Sequence, residues 1–360
     1  MNIDREDCLS TAKELIGFLE KSPTCFHAVQ SIADCLEEAG FTQLHEGEKW
    51  ELTEGGSYYV TRNGSSIVSF KVPGKAFSGF QIMASHSDSP SFKIKENPEM
   101  EAENHYVKLN VEKYGGMLCA PWFDRPLSVA GRLAVKEGNR IATKLVKVDR
   151  DLLMIPNLAI HFNREVNEGY QYNAQVDMLP LYGGADAEGT FMETVAESAG
   201  VKKEDILGHD LYLYNRVPGS IWGAGGEFLS CGHLDDLQCA FSTLKGFLEG
   251  GHPECVSVHA VFDNEEIGSL TKQGADSTFL EDVLRRINSA MGRSEEEYLM
   301  AIASSFMVSA DNAHAAHPNH GDKSDPVNRP YMNEGIVIKY STKYATDGLS
   351  AAVFRALCQE

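Results

Sequence analysis

The sequence predicts an α/β fold in two units, and two observations carry that prediction. The chain has 360 residues, which is more than one hydrophobic core usually serves. Helical periods and short apolar strands alternate near both ends, whereas residues 93–227 carry short alternating segments and few helical periods. We therefore expect an α/β unit made of residues 1–92 and 228–360, interrupted by a mostly β insertion at residues 93–227.

The first unit is expected to begin with two helices and a hairpin. Apolar residues recur at helical spacing over 4–21, and again over 26–40 after a Ser-Pro-Thr break. The Asn63-Gly64 dipeptide lies between two alternating segments, which is a strong hairpin signal. The apolar segment 79–85 then predicts a buried strand that ends at His86.

Helices and strands alternate again after the insertion. The predicted order is a helix at 236–250, a strand at 256–262, a helix at 277–290, strands at 305–310 and 335–340, and a terminal helix that starts at Thr346-Asp347. This order places polar residues at the ends of several apolar strands. Doubly wound α/β folds build their sites at the carboxyl ends of strands, so these residues are the candidates for chemistry.

The overall charge restricts the partners of the chain. Its formal net charge of −20 argues against nucleic acid and against anionic membrane surfaces. The polar, acidic N-terminus is neither a signal nor a transit peptide, and no apolar run of about 18 residues exists, so we expect a cytoplasmic protein with no membrane partner. The eight cysteines form no Cys-x-x-Cys motif, which favours reduced thiols over disulfides or a thiolate metal site.

Two adjacent carboxylates, Glu265 and Glu266, follow the predicted strand at 256–262. Adjacent side chains cannot both face the same way, so one can hold a metal while the other accepts a proton from an activated water. Taken alone, the pair fits equally well an ordinary acidic loop in an acidic protein. The other polar clusters decide between these two interpretations.

Three further clusters lie at predicted strand ends or helix starts. His86 comes with Asp88, and an imidazole ligand needs such a partner to fix its tautomer. Asp235 and Asp236 start a helix, where N-capping is the alternative. Asp311 opens a loop that carries three histidines, His314, His317 and His320.

The residue types of these clusters indicate a metal site. One histidine with several carboxylates suits paired zinc, manganese or cobalt ions. The chain has no Gly-x-Ser-x-Gly, Walker or His-Glu-x-x-His motif, so the sites that those motifs mark are not indicated.

The chain resembles the M18 aspartyl aminopeptidases, which are dinuclear zinc metallopeptidases. The similar segments span nearly the whole chain in the family's order: 22–29, Ser85-His86-Ser87-Asp88-Ser89-Pro90, Leu234-Asp235-Asp236, Asp263-Asn264-Glu265-Glu266-Ile267-Gly268-Ser269, 309–311 with His314, 317–319, 335–339 and 344–346. The resemblance implies a three-layer, zinc-peptidase-like catalytic domain. It also implies that the insertion builds interfaces of a homo-oligomer, in the family a closed tetrahedral assembly based on dimers, such as a dodecamer.

The resemblance implies roles for the residues of these clusters. His86 and Asp311 match ligands of one metal, Asp235 matches the bridging carboxylate, and Glu266 matches a ligand of the second metal. Glu265 matches the general base. Asp88 would orient His86, with a simple turn aspartate before Pro90 as the alternative. Two zinc ions per subunit are expected, and Mn²⁺ or Co²⁺ are possible substitutes.

Other positions match substrate contacts of the family. Lys339 would pair with the side-chain carboxylate of an N-terminal Asp or Glu, with a solvated lysine at a strand end as the alternative, and Tyr344 would be a second contact. His314 and His317 would stabilise the developing oxyanion, with loop packing as the alternative. His161, in the insertion, would reach a neighbouring subunit's site as a substrate or metal contact, and a core-edge histidine is the alternative.

With these residues, the resemblance implies a metalloaminopeptidase that releases Asp or Glu from peptides with an acidic N-terminus. Family members continue past the position of Glu360 and end with a histidine that completes the second metal site. We expect that this chain is truncated or that the missing part lies outside the given sequence, with substitution by His320 or another group as the alternative. Two other functions stay open: a different co-catalytic metal aminopeptidase or deacylase, and an inactive relative that acts as an assembly or binding protein.

Overall fold

The computed structural model describes residues 4–340, 342 and 346–358. Seven α-helices lie within these residues: α1 (Arg5–Lys21), α2 (Cys25–Glu38), α3 (Phe191–Ala199), α4 (Leu234–Glu249), α5 (Phe279–Ala290), α6 (Glu295–Ala303) and α7 (Gly348–Leu357). The strands are β1 (Thr42–Leu44), β2 (Ser57–Arg62), β3 (Ser66–Lys71), β4 (Gly79–His86), β5 (Ser91–Ala102), β6 (Tyr106–Tyr114), β7 (Leu127–Glu137), β8 (Arg140–Lys147), β9 (Leu181–Gly184), β10 (Ile206–Asn215), β11 (Ser220–Trp222), β12 (Phe228–Ser230), β13 (Cys255–Phe262) and β14 (Phe306–Ser309).

One six-stranded sheet, in the order β1-β2-β3-β13-β4-β14, forms the middle of three layers. Its β13 alternates between the two faces, because Val261 packs with one cluster of helices while Val258 and Ala260 pack with the other. Helices α1, α2 and α4 cover the first face, and α5 and α6 cover the second. This helix–sheet–helix arrangement confirms the predicted three-layer α/β fold.

Three parallel strands, β4, β13 and β14, end at the same edge of this sheet. Phe262 of β13 lies beside His86 of β4, and Ser309 of β14 lies beside Ala84. The segments that follow these strands are therefore neighbours in space, although they are more than 40 residues apart in sequence. The carboxyl edge of a parallel sheet is the expected place for a site in such folds.

A second six-stranded sheet is antiparallel and uses residues of the predicted insertion. Its order is β8-β7-β10-β5-β6-β9, and its core includes Phe92, Leu109, Leu133 and Leu211. Strand β5 begins at Ser91, almost directly after the end of β4. The region is mostly β, as its alternating segments indicate. The exact domain limits stay a prediction, and β12 pairs with β11 across the predicted limit at 227/228.

Most predicted elements of the first unit lie within a few residues of their observed bounds. Helix α6 was not predicted, although Ser294 and Glu297 form a capping box at its start. The terminal helix α7 has the predicted cap, because the Asp347 carboxylate accepts a hydrogen bond from the backbone N–H of Ser350 at 2.8 Å. None of the described helices is long and apolar enough to cross a bilayer.

The predicted strand at 335–340 was wrong. The segment is irregular, and Ile336 is 79% exposed. A strand forms only where a neighbour supplies backbone hydrogen bonds, and no described strand pairs with these residues. The apolar pattern of this segment was therefore not sufficient to predict a strand.

Candidate active site

His86 is the last residue of β4, and its ring is 5% exposed. Its Nδ1 lies 3.0 Å from the backbone oxygen of Asp88, which can only accept, so Nδ1 carries a hydrogen and donates. The other nitrogen, Nε2, lies 3.4 Å from Oδ1 of Asp235. This tautomer leaves Nε2 as the ligand atom, with its second nitrogen held by a backbone partner, as in many metal sites.

Asp235 and Asp236 both face His86 from the start of α4. Their backbones are not helical, with φ/ψ of −87°/107° and −120°/21°, so the two side chains need not follow helical directions. The Oδ2 atom of Asp236 accepts from the backbone N–H of His86 at 3.1 Å. The N-cap residue of α4 is His233, without a side-chain cap, so the alternative of N-capping by Asp235 or Asp236 is not observed.

Asp311 completes the group from the segment after β14. Its Oδ2 accepts a hydrogen bond from Lys339 Nζ at 2.7 Å. The next residue, Asn312, donates from Nδ2 to the backbone oxygen of Leu234 at 2.6 Å. This contact ties the segment of Asp311 to the start of α4, and therefore fixes Asp311 relative to Asp235.

Ligand atoms of four residues lie within 4.8 Å of one another: His86, Asp235, Asp236 and Asp311. Asp236 belongs to a candidate polar cluster of the sequence analysis, but it was given no role of its own there. It is fully buried, and its Oδ1 has no hydrogen-bond partner among the described residues. A buried, unpaired carboxylate oxygen is costly unless a cation or donor meets it. The donor set of one imidazole and several carboxylates fits zinc or manganese.

The pKa values of His86 and Asp236 are both shifted by their surroundings. Burial opposes a charge on His86, but the carboxylates of Asp235 and Asp88 outweigh it and raise the pKa of His86 to about 11. Burial raises the pKa of Asp236 to about 7. The carboxylates around His86 therefore favour a positive charge at this position, and a bound divalent cation would supply one.

The Glu265–Glu266 pair lies in a short 3₁₀ turn, Glu265–Ile267, just after β13. The backbone N–H groups of the pair donate to the two oxygens of Asp88, at 3.1 and 3.2 Å. Asp88 is 3% exposed, and its Oδ1 also lies 3.4 Å from His86 Nδ1. Asp88 therefore contacts both the candidate ligand and the turn, which goes beyond the orienting role predicted for it.

The two glutamates have different surroundings. Glu265 is exposed, whereas Glu266 is half-buried. Burial raises the pKa of Glu266 to about 7, and the nearby Asp235 and Asp88 add to the shift while His86 opposes it. Glu266 is not one of the four residues whose ligand atoms converge. Its predicted role as a ligand of a second metal, and that of Glu265 as a base, stay predictions.

The remaining predicted residues lie at different distances from this group. Lys339 contacts Asp311 directly, and His314 is exposed but close enough to Asp235 to lower the pKa of that carboxyl, after the larger effect of His86. His317 is exposed and its ring lies 4.9 Å from that of His320. His161 is exposed on a long irregular segment of the insertion. Tyr344 lies outside the described residues.

Known proteins are similar to this chain over nearly its whole length. A family model described as "Aminopeptidase I zinc metalloprotease (M18)" matches residues 18–360. A probable M18 family aminopeptidase 2 of Clostridium acetobutylicum is 46% identical over 362 residues, which cover 98% of this chain and 83% of that relative.

Solved structures are similar as well. A chain of the Ape4 and Nbr1 complex superposes with a TM-score of 0.94 at 33% identity, covering 100% of this chain and 75% of that chain. The S. cerevisiae mApe1 dodecamer gives a TM-score of 0.82 at 28% identity, over 97% of this chain and 82% of that chain. Both the three-layer unit and the antiparallel sheet lie within these matches, and so does the cluster around His86.

Proposed function

This chain belongs to the M18 family of zinc metalloaminopeptidases, and on that premise we propose that it releases Asp and Glu from the N-termini of peptides. The observation that carries the proposal is the convergence of His86, Asp235, Asp236 and Asp311, with the ammonium of Lys339 bonded to Asp311. A metal-binding group and a cation lie side by side there. An aminopeptidase for acidic substrates needs both.

Two zinc ions per chain are part of the proposal, with Mn²⁺ or Co²⁺ as substitutes. His86 and Asp311 would hold one ion, Asp235 would lie between the two, and Glu266 would hold the second. Zinc, when bound, polarises the peptide carbonyl and lowers the pKa of water. The half-burial of Glu266 and its closeness to Asp235 support its place at the second ion.

Glu265 is the proposed general base. Its backbone is fixed by the hydrogen bond to Asp88, while its side chain is exposed and can reach a water and a substrate. It would take the proton of the attacking water and then give that proton to the leaving amine. A fixed backbone with a free carboxylate is suited to this shuttle.

Lys339 is the proposed determinant of the acidic specificity. The chain carries a net charge of −20, and several carboxylates surround His86, so an acidic side chain needs a local positive group. Lys339 Nζ is 2.7 Å from Asp311 Oδ2. A cation bound by Asp311 competes for that carboxylate, which lets the ammonium pair with the substrate's side-chain carboxylate.

Four further residues are proposed as outer contacts of the site. Tyr344 would be a second substrate contact, and His314 and His317 would stabilise the oxyanion. His161 would act in the site of a neighbouring subunit, in a cytoplasmic homo-oligomer based on dimers, such as a dodecamer. Exposed apolar side chains beside His161 support an interface there: Leu158, Ile160 and Phe162.

A panel of aminoacyl p-nitroanilides tests the proposed specificity. The zinc-loaded chain should hydrolyse the Asp and Glu derivatives faster than the Ala and Leu derivatives, and a chelator should stop all turnover. Lys339→Met should reduce the preference for acidic residues about 10–100-fold, because a hydrogen bond to a charged group is worth ~1.5–3 kcal/mol. Lys323→Met, an exposed lysine in the same segment, is the control. An unchanged substrate ratio in Lys339→Met would remove Lys339 from the specificity pocket.

A further inference from the structure

Tyr114 ends β6 of the antiparallel sheet, yet its hydroxyl lies among residues of the three-layer unit. The hydroxyl donates to Asp88 Oδ2 at 2.6 Å and accepts from Asn264 Nδ2 at 2.9 Å. Burial and the charge of Asp88 raise the pKa of Tyr114 far above its ordinary value. Because the amide nitrogen of Asn264 can only donate to the hydroxyl, the hydroxyl's own hydrogen is directed to Asp88.

Asn264 is itself held in one orientation. Its Oδ1 accepts from Thr271 Oγ1 and from Gln273 Nε2, each at 2.8 Å, so Nδ2 must point to Tyr114. Asn264 has a left-handed backbone, with φ of 65°, and directly precedes the Glu265–Glu266 turn. Tyr114 thus contacts the turn through Asn264 from one side and through Asp88 from the other.

The residue after Tyr114 lies against the same turn. Gly115 has φ of 76°, and a Cβ at this position would lie 3.0 Å from Cβ and 3.3 Å from Oε2 of Glu266. Only glycine combines that backbone conformation with so close an approach. The end of β6 therefore packs directly against Glu266 through Gly115, while Tyr114 makes the polar contacts to Asp88 and Asn264.

We propose that Tyr114 is a positioning residue of the metal site: its hydroxyl joins Asp88 to Asn264 and so fixes His86 and the Glu265–Glu266 turn relative to each other. The inference rests on the proposed role of His86 and Glu266 as metal ligands. It assigns to the antiparallel sheet a direct part in the site, in addition to any role in assembly. Partners of ligands that act through a second residue commonly influence metal affinity.

Tyr114→Phe tests this role with little change of packing. The ring keeps its edge-to-face contact with Tyr212, whose centroid is 5.7 Å away, so only the hydroxyl is lost. Tyr214→Phe is the matched control. Its hydroxyl, in the same sheet, donates to the backbone oxygen of Val148 at 2.9 Å and accepts from Arg216 at 3.0 Å, and touches none of the site residues.

The measurement is calorimetric titration of ZnCl₂ into the chelator-stripped full chain, with the absorption spectrum of the Co²⁺-loaded chain as a second readout. Loss of a direct partner of a ligand costs about 10–100-fold in metal affinity. Because Tyr114 acts one contact further out, we expect about 3–10-fold weaker zinc binding and a changed Co²⁺ spectrum in Tyr114→Phe. Tyr214→Phe should match the wild type in both.

The outcomes separate this inference from the proposed function. If the wild type binds zinc and Tyr114→Phe matches it in affinity and spectrum, the positioning role is overturned and the proposed function stands. If the wild type binds no zinc, both are overturned. Should Tyr114→Phe fail to fold, Asn264→Gly takes its place, since it keeps the left-handed backbone, removes the amide and is expected to weaken zinc binding similarly.

Discussion

Asp88 is the residue on which the geometry of the candidate site most depends. Its buried carboxylate accepts from both backbone N–H groups of the Glu265–Glu266 turn and from Tyr114, and lies beside His86. A carboxylate that accepts several hydrogen bonds is fixed in position. Asp88 therefore fixes the position of the segment after β4 relative to the turn after β13.

Glu265→Gln tests the proposed base at this scale. The amide keeps the size of the side chain and leaves the backbone bond to Asp88, but it cannot accept the proton of water. We expect turnover of an Asp p-nitroanilide to fall about 10²–10⁴-fold. Zinc content should stay that of the wild type, and Glu204→Gln, an exposed glutamate of the insertion, should keep full activity.

Retained turnover in Glu265→Gln would exclude Glu265 as the base. Loss of zinc together with turnover would instead make Glu265 a ligand. Turnover and zinc content together therefore distinguish a general base from a metal ligand at Glu265.

The sequence was sufficient for some site residues and insufficient for others. His86, Asp235 and Asp311 follow apolar strands or start a helix, so their meeting at one edge of the sheet was predictable. Asp236 was left without a role beside Asp235, because helical periodicity does not reveal that its backbone departs from the helix. Tyr114 lies in the other sheet, and no local pattern relates a strand end in one sheet to a turn in another.

At the scale of elements, α4 and β13 are joined by a histidine inside the protein. His259 of β13 is fully buried, its Nε2 lies 3.1 Å from Thr243 Oγ1 of α4, and its ring stacks on Phe247. Burial lowers its pKa to about 4. The neutral ring is therefore part of the packed interface between this helix and the sheet.

This packing predicts a loss of stability in acid. In the unfolded state His259 takes up a proton near the ordinary histidine pKa of about 6.5, whereas in the folded state its pKa is about 4. Stability from His259 is thus complete above about pH 6.5 and falls as the pH drops toward 4. By linkage the loss at pH 5 is about 2 kcal/mol.

Urea unfolding of the metal-free chain at pH 7.5 and pH 5.0 measures this effect. In His259→Gln the difference in unfolding free energy between the two pH values should shrink by about 2 kcal/mol relative to the wild type. The exposed His105→Gln should leave the difference unchanged. An identical difference in His259→Gln and the wild type would contradict the account of this interface.

The sequence pattern predicted some helices and strands correctly and others not. Strands β4 and β13 are apolar and buried on both faces, so the sequence predicted them well. Helix α6 was missed although the Ser294–Glu297 box is visible in the sequence, because its apolar residues lie on no single face. The segment 335–340 has the apolar alternation of a strand, but pairing depends on a neighbour that the pattern does not specify.

At the scale of the whole molecule, Arg132 of the antiparallel sheet connects the two sheets. Its Nε donates to Asp210 at 3.0 Å within that sheet, while Nη1 donates to the backbone oxygen of Asn63 in the hairpin of the other. Its guanidinium also lies over the ring of Phe26, 4.3 Å from the centroid. Together with Tyr114, this contact attaches the antiparallel sheet to the three-layer unit.

The mostly β character of the insertion was predictable from its short alternating segments, but this connection was not. Arg132 lies on β7 of the antiparallel sheet, and its partner Asn63 is 69 residues earlier in the chain. Long-range contacts of single side chains leave no periodic signal in a sequence. The contacts between the antiparallel sheet and the three-layer unit therefore could not be predicted from the sequence and are known only from the structure.

Zinc content per chain tests the central claim most directly. The purified full chain, loaded with zinc and freed of excess ions by dialysis, is measured by elemental analysis beside Asp235→Asn. We predict two zinc ions per wild-type chain and a clear loss in Asp235→Asn, because that carboxylate faces His86 and is proposed to lie between the ions. One ion or none in the wild type, or an unchanged zinc content in Asp235→Asn, would contradict the account.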